Sequence, residues 1–570
     1  MNNTLFPSSP RLYLWVALGL LAFVNFQTWM KDYGPAPQSP EVPPLAGAPV
    51  APAPDLRNQL PAGAQSADAT SAALPATPVA APAAAPAGEG EAAPAIHVRT
   101  DVLDVDISLR GGTLTRVDLP AYPQVKGQST PVRLENHDSA LSLYELQTGL
   151  TGPGAGPYAD QNAQYTSARS DYRLGSAAEV RVPLSWSADG VTVTKTYTFR
   201  RGAYGIDVAY EVHNGSSADY QTRPFAQIVR NDPPTKRSYF NVDSYAYHGP
   251  AIHDGTKYRK LDPTNRDDNH LSLEVRDGWL AALQHHFVSA IVPPKGAPWQ
   301  FSLAVAGNQY QLGGVGPAQS LAPGASAQFG QTLFVGPKLQ NQLETIAPEL
   351  GRVADYGRLW FLARPLFWLL AKVHALSGNW GIAIILVTFL LKLLFYPLSE
   401  ASGRSMAKMK TLQPRIKNLQ ETYKDDREKL GRAMMELYQR EKINPVAGCL
   451  PIVIQIPVFI AFYWVLLESV EMRQAPFMGW IHDLSSRDPL FILPLIMAVA
   501  MFLQYKLNPT PPDPVQAKVF MFMPLVMSCM FAFFPAGLVL YWVTNTVLSI
   551  AQQWNINRRI EAVAAAKRAN

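Results

Sequence analysis

Lys392 stands inside an otherwise apolar run, Ile384 to Leu394. A charge held in hydrocarbon costs about 2.5–3.5 kcal/mol on insertion scales, so such a residue is either functional or snorkels to the headgroups from near a helix end. Lys392 lies six residues before Leu398, roughly 9 Å by helical rise, and position alone leaves both readings open. Thr388 sits one turn earlier on the same helical face. A second apolar run carries Gln455 between Pro451 and Pro457, and the last carries Tyr541, Trp542, Thr544, Asn545, Thr546, Ser549, Gln552 and Gln553. Singly, each polar group reads as interhelical hydrogen bonding. Brought together at one depth around Lys392, they make a hydrated, positively charged cavity. Its chemistry is attraction and hydration, with no bond made or broken. The apolar runs after residue 378 contain no Asp or Glu except Glu468 at a boundary, which argues against proton and cation transport.

Other chemistry is thinly represented. His285 and His286 have carboxylates nearby in sequence, but nothing positions them as an acid–base pair. No Cys/His cluster has zinc spacing, and no glycine loop with a lysine cradles phosphate. The two cysteines, Cys449 and Cys529, adjoin apolar runs, so the stretch 31–375 has no disulfide framework. The reading is a non-enzyme without cofactor or metal.

The elements that must position these residues follow from the distribution of hydrophobicity. The chain has 570 residues, a net charge of +5 and only 16% charged residues, below the roughly 25% of soluble proteins. Residues 12–30 form an apolar run long enough to span a bilayer, behind a short terminus 1–11; the poor basic region and lack of a small-residue cleavage site favour an anchor over a signal peptide. Residues 31–95 are dominated by Ala and Pro and read as a flexible tether. From 96 to 345, Val105 and Ile107, then Val191, Val193, Tyr197 and Phe199, then Ile206, Val208, Tyr210 and Val212 alternate with polar residues. Such alternation between Gly-rich turns predicts antiparallel sheets with one buried face, at this length a large β-sandwich. Residues 350–376 mix aromatics with Arg352, Arg358, Arg364 and Lys372, as in a helix lying in the membrane surface; a helix docked on the sandwich is the alternative.

Five further spans are predicted at 379–398, 449–467, 489–506, 518–535 and 537–554, giving six in all. The loop 399–448 is rich in Lys and Arg, including Arg404, Lys408, Lys410, Arg415 and Lys417, and the tail 555–570 adds Arg558, Arg559, Lys567 and Arg568. The loop 468–488 holds only Arg473 and Arg487. Positive charge marks the cytoplasmic side, so 399–448, 507–517, the tail and the N-terminus face the cytoplasm and the β-domain faces outward. Within 399–448, Met409, Leu412, Ile416, Leu419 and Tyr423, then Leu430, Met434 and Leu437, recur at helical spacing. This predicts a helical hairpin, started anew after Asp425 and Asp426 and kinked near Pro414. Its basic face suits lipid headgroups, ribosomal RNA or a partner protein.

The stretches 405–415, 444–449, 473–477, 480–484 and 534–541 closely resemble the YidC/Oxa/Alb family of membrane protein insertases, in its Gram-negative form. The resemblance covers the whole architecture. It implies a membrane α-helical bundle of six transmembrane helices, five forming the insertase core, plus a large periplasmic all-β supersandwich domain. It further implies a hydrophilic groove open to cytoplasm and lipid, with Lys392 at the position where the family usually has Arg, and with substrate contacts at Thr388 and Trp542. Gln455, Tyr541 and Asn545 complete the expected groove. The implied partners are nascent membrane proteins, Sec translocon components, membrane lipids, and the ribosome and targeting factors at the hairpin and tail. The competing class is an anion or lipid transporter that uses the same buried cation.

Overall fold

The computed structural model describes residues 55–63, 94–138, 142–153, 156–231, 246–424, 426–441, 450–507 and 514–569. The predicted first span, most of the tether and the segment 444–449 lie outside the described residues.

The alternating segments form two large sheets. The eight-stranded sheet runs Tyr258–Lys260, Gly249–His253, Trp279–Leu283, Phe287–Val292, Ser326–Pro337, Gly205–Asn214, Val191–Arg200, Glu179–Ala188, all antiparallel. The eleven-stranded sheet is centred on Tyr220–Asn231, flanked by Gln309–Val315 and Tyr144–Thr151. It closes with a parallel pair, Ala95–Arg99 beside Asp171–Arg173. Val105, Ile107, Val191, Val193, Tyr197 and Phe199 are buried between the sheets as their alternation requires. The same alternation carries Lys195 inward, where it is fully buried. Its ammonium donates to the carbonyls of Gly111, Gly112 and Thr148 at 2.9, 3.0 and 2.7 Å. The rings of Tyr165, Tyr197 and Tyr210 lie 5.1 to 5.7 Å away. Burial pushes the lysine's pKa well below its ordinary value; three carbonyls matched to three donors work the other way.

Nine helices of ten or more residues follow among the described residues. α1 (Trp360–Ser377) begins after two short 3-10 turns. It buries Ala363, Leu366, Phe367 and Leu370 against the bundle and exposes Phe361, Trp368 and Leu376. α2 (Trp380–Leu394) stops four residues short of the predicted 398. Pro397 has no N–H to bond the Leu393 carbonyl, and the chain leaves as α3 (Tyr396–Thr411) at 59°. Pro414 falls in the first turn of α4 (Gln413–Thr422), so it starts a helix where a kink was expected. α5 (Arg427–Arg440) is capped by Asp426, whose Oδ1 accepts from Lys429 N at 3.0 Å. Leu412, Ile416 and Met434 meet between the hairpin arms.

α6 (Leu450–Glu468), α7 (Ile492–Leu507) and α8 (Pro514–Phe531) match predicted spans to within a few residues. α9 (Ala536–Ala569) runs on unbroken for 34 residues, so the basic tail continues the last span as helix. Among the described residues, Gly357–Ser377 alone is long and apolar enough to cross a bilayer unaided, and α2 with the start of α3 would qualify as one bent span. Three further apolar helices, Ile454–Glu468, Ile492–Leu507 and Lys518–Phe531, are shorter.

The loop after α6 docks on the β-domain. Arg473 donates to the carbonyls of Pro123 and Gln124 at 2.8 and 3.2 Å, and Lys126 donates to Gln474 O at 2.7 Å. Arg364 of α1 pairs with Glu344 at 2.6 Å.

Candidate functional site

α2 is apolar on all sides and held at its start by Asn379. The Asn379 Oδ1 accepts from Ile382 N at 3.1 Å, and its Nδ2 donates to Phe477 O at 2.8 Å. The face that turns inward carries Gly381, Ile384, Val387 and Thr388. The opposite face exposes Leu386, Phe389, Leu390 and Leu393, as expected of a surface meeting lipid. Thr388, 2% exposed, donates its hydroxyl to Ile384 O at 2.6 Å, which satisfies that hydroxyl in an apolar setting.

Lys392 is in the last turn of α2, where the helix dipole favours a cation. Its Nζ reaches across to α9 and donates to Ser549 Oγ at 2.7 Å. Ser549 in turn donates its hydroxyl to Asn545 O at 2.7 Å. A cavity of about 250 Å³ opens beside this chain. α2 contributes Thr388, Leu391 and Lys392 to its wall, α6 contributes Gln455 and Phe459, and α9 contributes Tyr541, Trp542, Asn545, Thr546 and Ser549. Tyr541 stacks on Phe459 with centroids 5.8 Å apart, and Trp542 meets the same ring edge-on at 4.7 Å. These contacts fix the aromatic end of the cavity.

All six predicted groove residues, Lys392, Thr388, Gln455, Tyr541, Trp542 and Asn545, thus line one cavity. Among the described residues no carboxylate lines it, so none of these walls compensates the Lys392 charge. Sequence reasoning missed Gln504 and Met501 of α7, which close another side; Gln504, two residues inside the predicted span end at 506, was the available signal.

The predicted partner-contact residues are elsewhere. Arg404, Lys408 and Lys410 belong to α3, where the helix is described but their side chains lie outside the described residues. Arg415 and Lys417 are exposed on α4, with Arg415 paired to Glu441 at 2.6 Å. Neither Arg415 nor Lys417 lines the cavity.

His285 and His286 stack at 3.7 Å, and the His285 Nε2 lies 3.1 Å from Leu467 O, fastening the β-domain to the end of α6. Burial pushes the His286 pKa well below the usual range. Among the described residues no three His, Cys, Asp or Glu side chains gather as metal ligands.

The chain matches the family described as the YidC periplasmic domain over residues 95–369 and the family described as the 60Kd inner membrane protein over residues 372–563. It is 44% identical over 567 residues to the membrane protein insertase YidC of Stutzerimonas stutzeri (strain A1501), spanning 97% of this chain and 99% of that one. With the YidC of Thioalkalivibrio sulfidiphilus (strain HL-EbGR7) it shares 45% identity over 570 residues, spanning 97% and 98%. A crystal structure of an active YidC insertase with its first transmembrane domain resolved aligns over 81% of this chain and 92% of that one, at 17% identity and a TM-score of 0.35.

An all-β domain of two sheets, joined to apolar helices and matched in both halves, makes this an integral inner-membrane protein with a periplasmic domain. The chain belongs to the YidC family of membrane protein insertases.

Proposed function

We propose that this chain inserts, folds and helps assemble integral membrane proteins, alone or with the Sec translocon, and that the cavity beside Lys392 is the groove through which substrate passes. The observation that carries this reading is a cation, Lys392, in a cavity whose other polar walls among the described residues are neutral, set between helices with lipid-type outer faces. Leaving a backbone polar group unsatisfied in hydrocarbon costs several kcal/mol. A hydrated recess reaching part of the way removes much of that barrier. Lys392 attracts an acidic or polar segment bound for the far side, while the substrate's apolar helix slides out along α2 and α9 past Thr388 and Trp542 into lipid. No nucleotide or cofactor takes part.

In this reading both termini, the hairpin and the loop 507–517 are cytoplasmic and the β-domain is periplasmic. The spans are 12–30 and the five helices α2 and α6 to α9, and α1 lies in the outer membrane surface. The ribosome and targeting factors meet the basic hairpin and tail; Arg404, Lys408, Lys410, Arg415 and Lys417 are the contact candidates.

The test is complementation of a depletion strain with Lys392→Ala and Lys392→Arg. Arginine keeps the charge and is expected to rescue growth and insertion; alanine is expected to fail. Normal insertion with alanine would overturn the role given to the charge. Reconstituted protein that moved a small anion or a lipid without any nascent chain would favour the transporter reading instead.

A further inference from the structure

A second cavity, of about 430 Å³, lies where the β-domain meets the start of α1. It is larger than the one beside Lys392 and falls within the range of small-molecule sites. Tyr258 of the β-domain forms one wall, residues 348–357 another, and Trp360 and Arg364 of α1 a third.

The ionic groups of this lining carry both signs. Arg364 pairs with Glu344 at 2.6 Å, Arg352 pairs with Glu349, and Asp355 pairs with Lys260 from outside the lining. The partners in the first two pairs are 32% to 52% exposed, and exposed pairs of this kind are worth only about 0–1 kcal/mol. They can be exchanged for a ligand that brings one charge of each sign. The Tyr258 hydroxyl is buried and has no hydrogen-bond partner among the described residues, so this wall also holds a polar group that the protein leaves unsatisfied.

The surroundings name the source of such a ligand. Gly357 packs beside Trp464 in the last turns of α6, where a Cβ would lie 3.8 Å from the indole. Trp464 and Trp360 thus flank the cavity at the end of a span, the level at which tryptophan meets headgroups. From there α1 turns Phe361, Trp368 and Leu376 outward, an apolar face along which acyl chains can lie.

We infer that this cavity holds the headgroup of a zwitterionic phospholipid with a primary ammonium, of the phosphoethanolamine type. The phosphate takes Arg352 and Arg364 from their carboxylates, since a guanidinium fork matches phosphate oxygens. The ammonium takes the freed Glu344 and Glu349. An anionic headgroup without an amine would leave both carboxylates unpaired. A quaternary ammonium donates no hydrogen bond, and the Trp360 face that could attract it is already covered by the Arg352 guanidinium, 4.3 Å from the ring. The inference rests on the reading that α1 lies in the outer membrane surface; Lys392 does not enter it.

The test is native mass spectrometry of the full chain released from bilayers of equal parts phosphatidylethanolamine, phosphatidylglycerol and phosphatidylcholine. The wild type is expected to retain phosphatidylethanolamine about tenfold over either of the others. Glu344→Gln with Glu349→Gln leaves two unmatched arginines and is expected to turn the preference toward phosphatidylglycerol. A misfolded chain cannot imitate that gain. Equal retention of the three lipids by the wild type, or a preference that the double change leaves unaltered, would overturn the site. Soluble glycerophosphoethanolamine separates the site from the placement of α1. If it binds the full chain in detergent, with the same dependence on Glu344 and Glu349, while the lipid is not retained, the placement of α1 fails and the lipid assignment falls with it. If neither is held, the chemistry given to the cavity is wrong and the placement of α1 is untouched.

Discussion

Lys392 of α2 and Ser549 of α9 are joined by a 2.7 Å hydrogen bond, and Ser549 is anchored in turn to Asn545 O. The proposed groove cation is therefore held by the same helix that carries Trp542, two turns away. Ser549→Ala keeps the charge and removes its anchor. A hydrogen bond of this kind contributes about 1 kcal/mol, so insertion of a model substrate is expected to slow roughly fivefold, well short of the loss with Lys392→Ala. Protease protection of a radiolabelled substrate reads the rate; equal defects in the two variants would contradict a subsidiary role for Ser549.

Gly381 makes the tightest helix contact in the bundle core. A Cβ there would come within 2.1 Å of the Phe477 ring, which belongs to the loop after α6. Gly381→Ala is expected to lower stability in detergent by about 1–3 kcal/mol through overpacking. Combining it with Phe477→Ala should recover part of that loss relative to the sum of the single changes, and thermal unfolding of all three variants measures the coupling.

Among the described residues, the hairpin is held by a cluster of three buried side chains, Leu412, Ile416 and Met434, with Leu419, Leu430 and Leu437 around it. Met434→Ala is expected to cost about 2 kcal/mol or more locally. Hydrogen exchange should quicken across α4 and α5 while the amides of α2 and α9 keep their protection, because a small satellite core opens independently of the main one.

Glu135 sets a pH dependence in the β-domain. Burial pushes its carboxyl up to about 7, against the smaller opposing effects of the Ser289 hydroxyl, which donates at 2.6 Å, and the Arg230 charge. The folded chain therefore holds a proton that the unfolded chain has released between the ordinary value of 4.5 and about 7. Stability from this group is complete below that window and falls as pH rises through it, by roughly 3 kcal/mol in all. Glu135→Gln should flatten that part of the stability profile and be more stable than wild type at pH 8. Denaturant unfolding at several pH values decides it, and an unchanged slope would refute the assignment.

The sheets were legible because period-two alternation is enforced by burial itself: Val191, Val193, Tyr197 and Phe199 point inward as written. Lys195 shares their face and escaped notice, since no local pattern signals three carbonyls supplied by distant turns. The lining of the cavity beside Lys392 was legible because polar residues in apolar helices have few places to go. Its α7 wall was not, as Gln504 stands beside Tyr505 and Lys506 at a predicted span end, where polar residues read as the boundary. The end of α2 was readable from Pro397, and the overlong assignment to 398 followed hydropathy past the missing N–H. The tether reading, made from composition, missed that Leu56 and Leu60 give one short segment something to bury.

α9 carries Tyr541 and Trp542 near one end and Arg558 and Arg559 toward the other, with no break between them. At helical rise its 34 residues extend about 51 Å. A helix without a break transmits displacement along its axis instead of absorbing it at a hinge. On the reading proposed above, a partner holding the basic end would act on the aromatic end as a hand on a lever acts on its far tip.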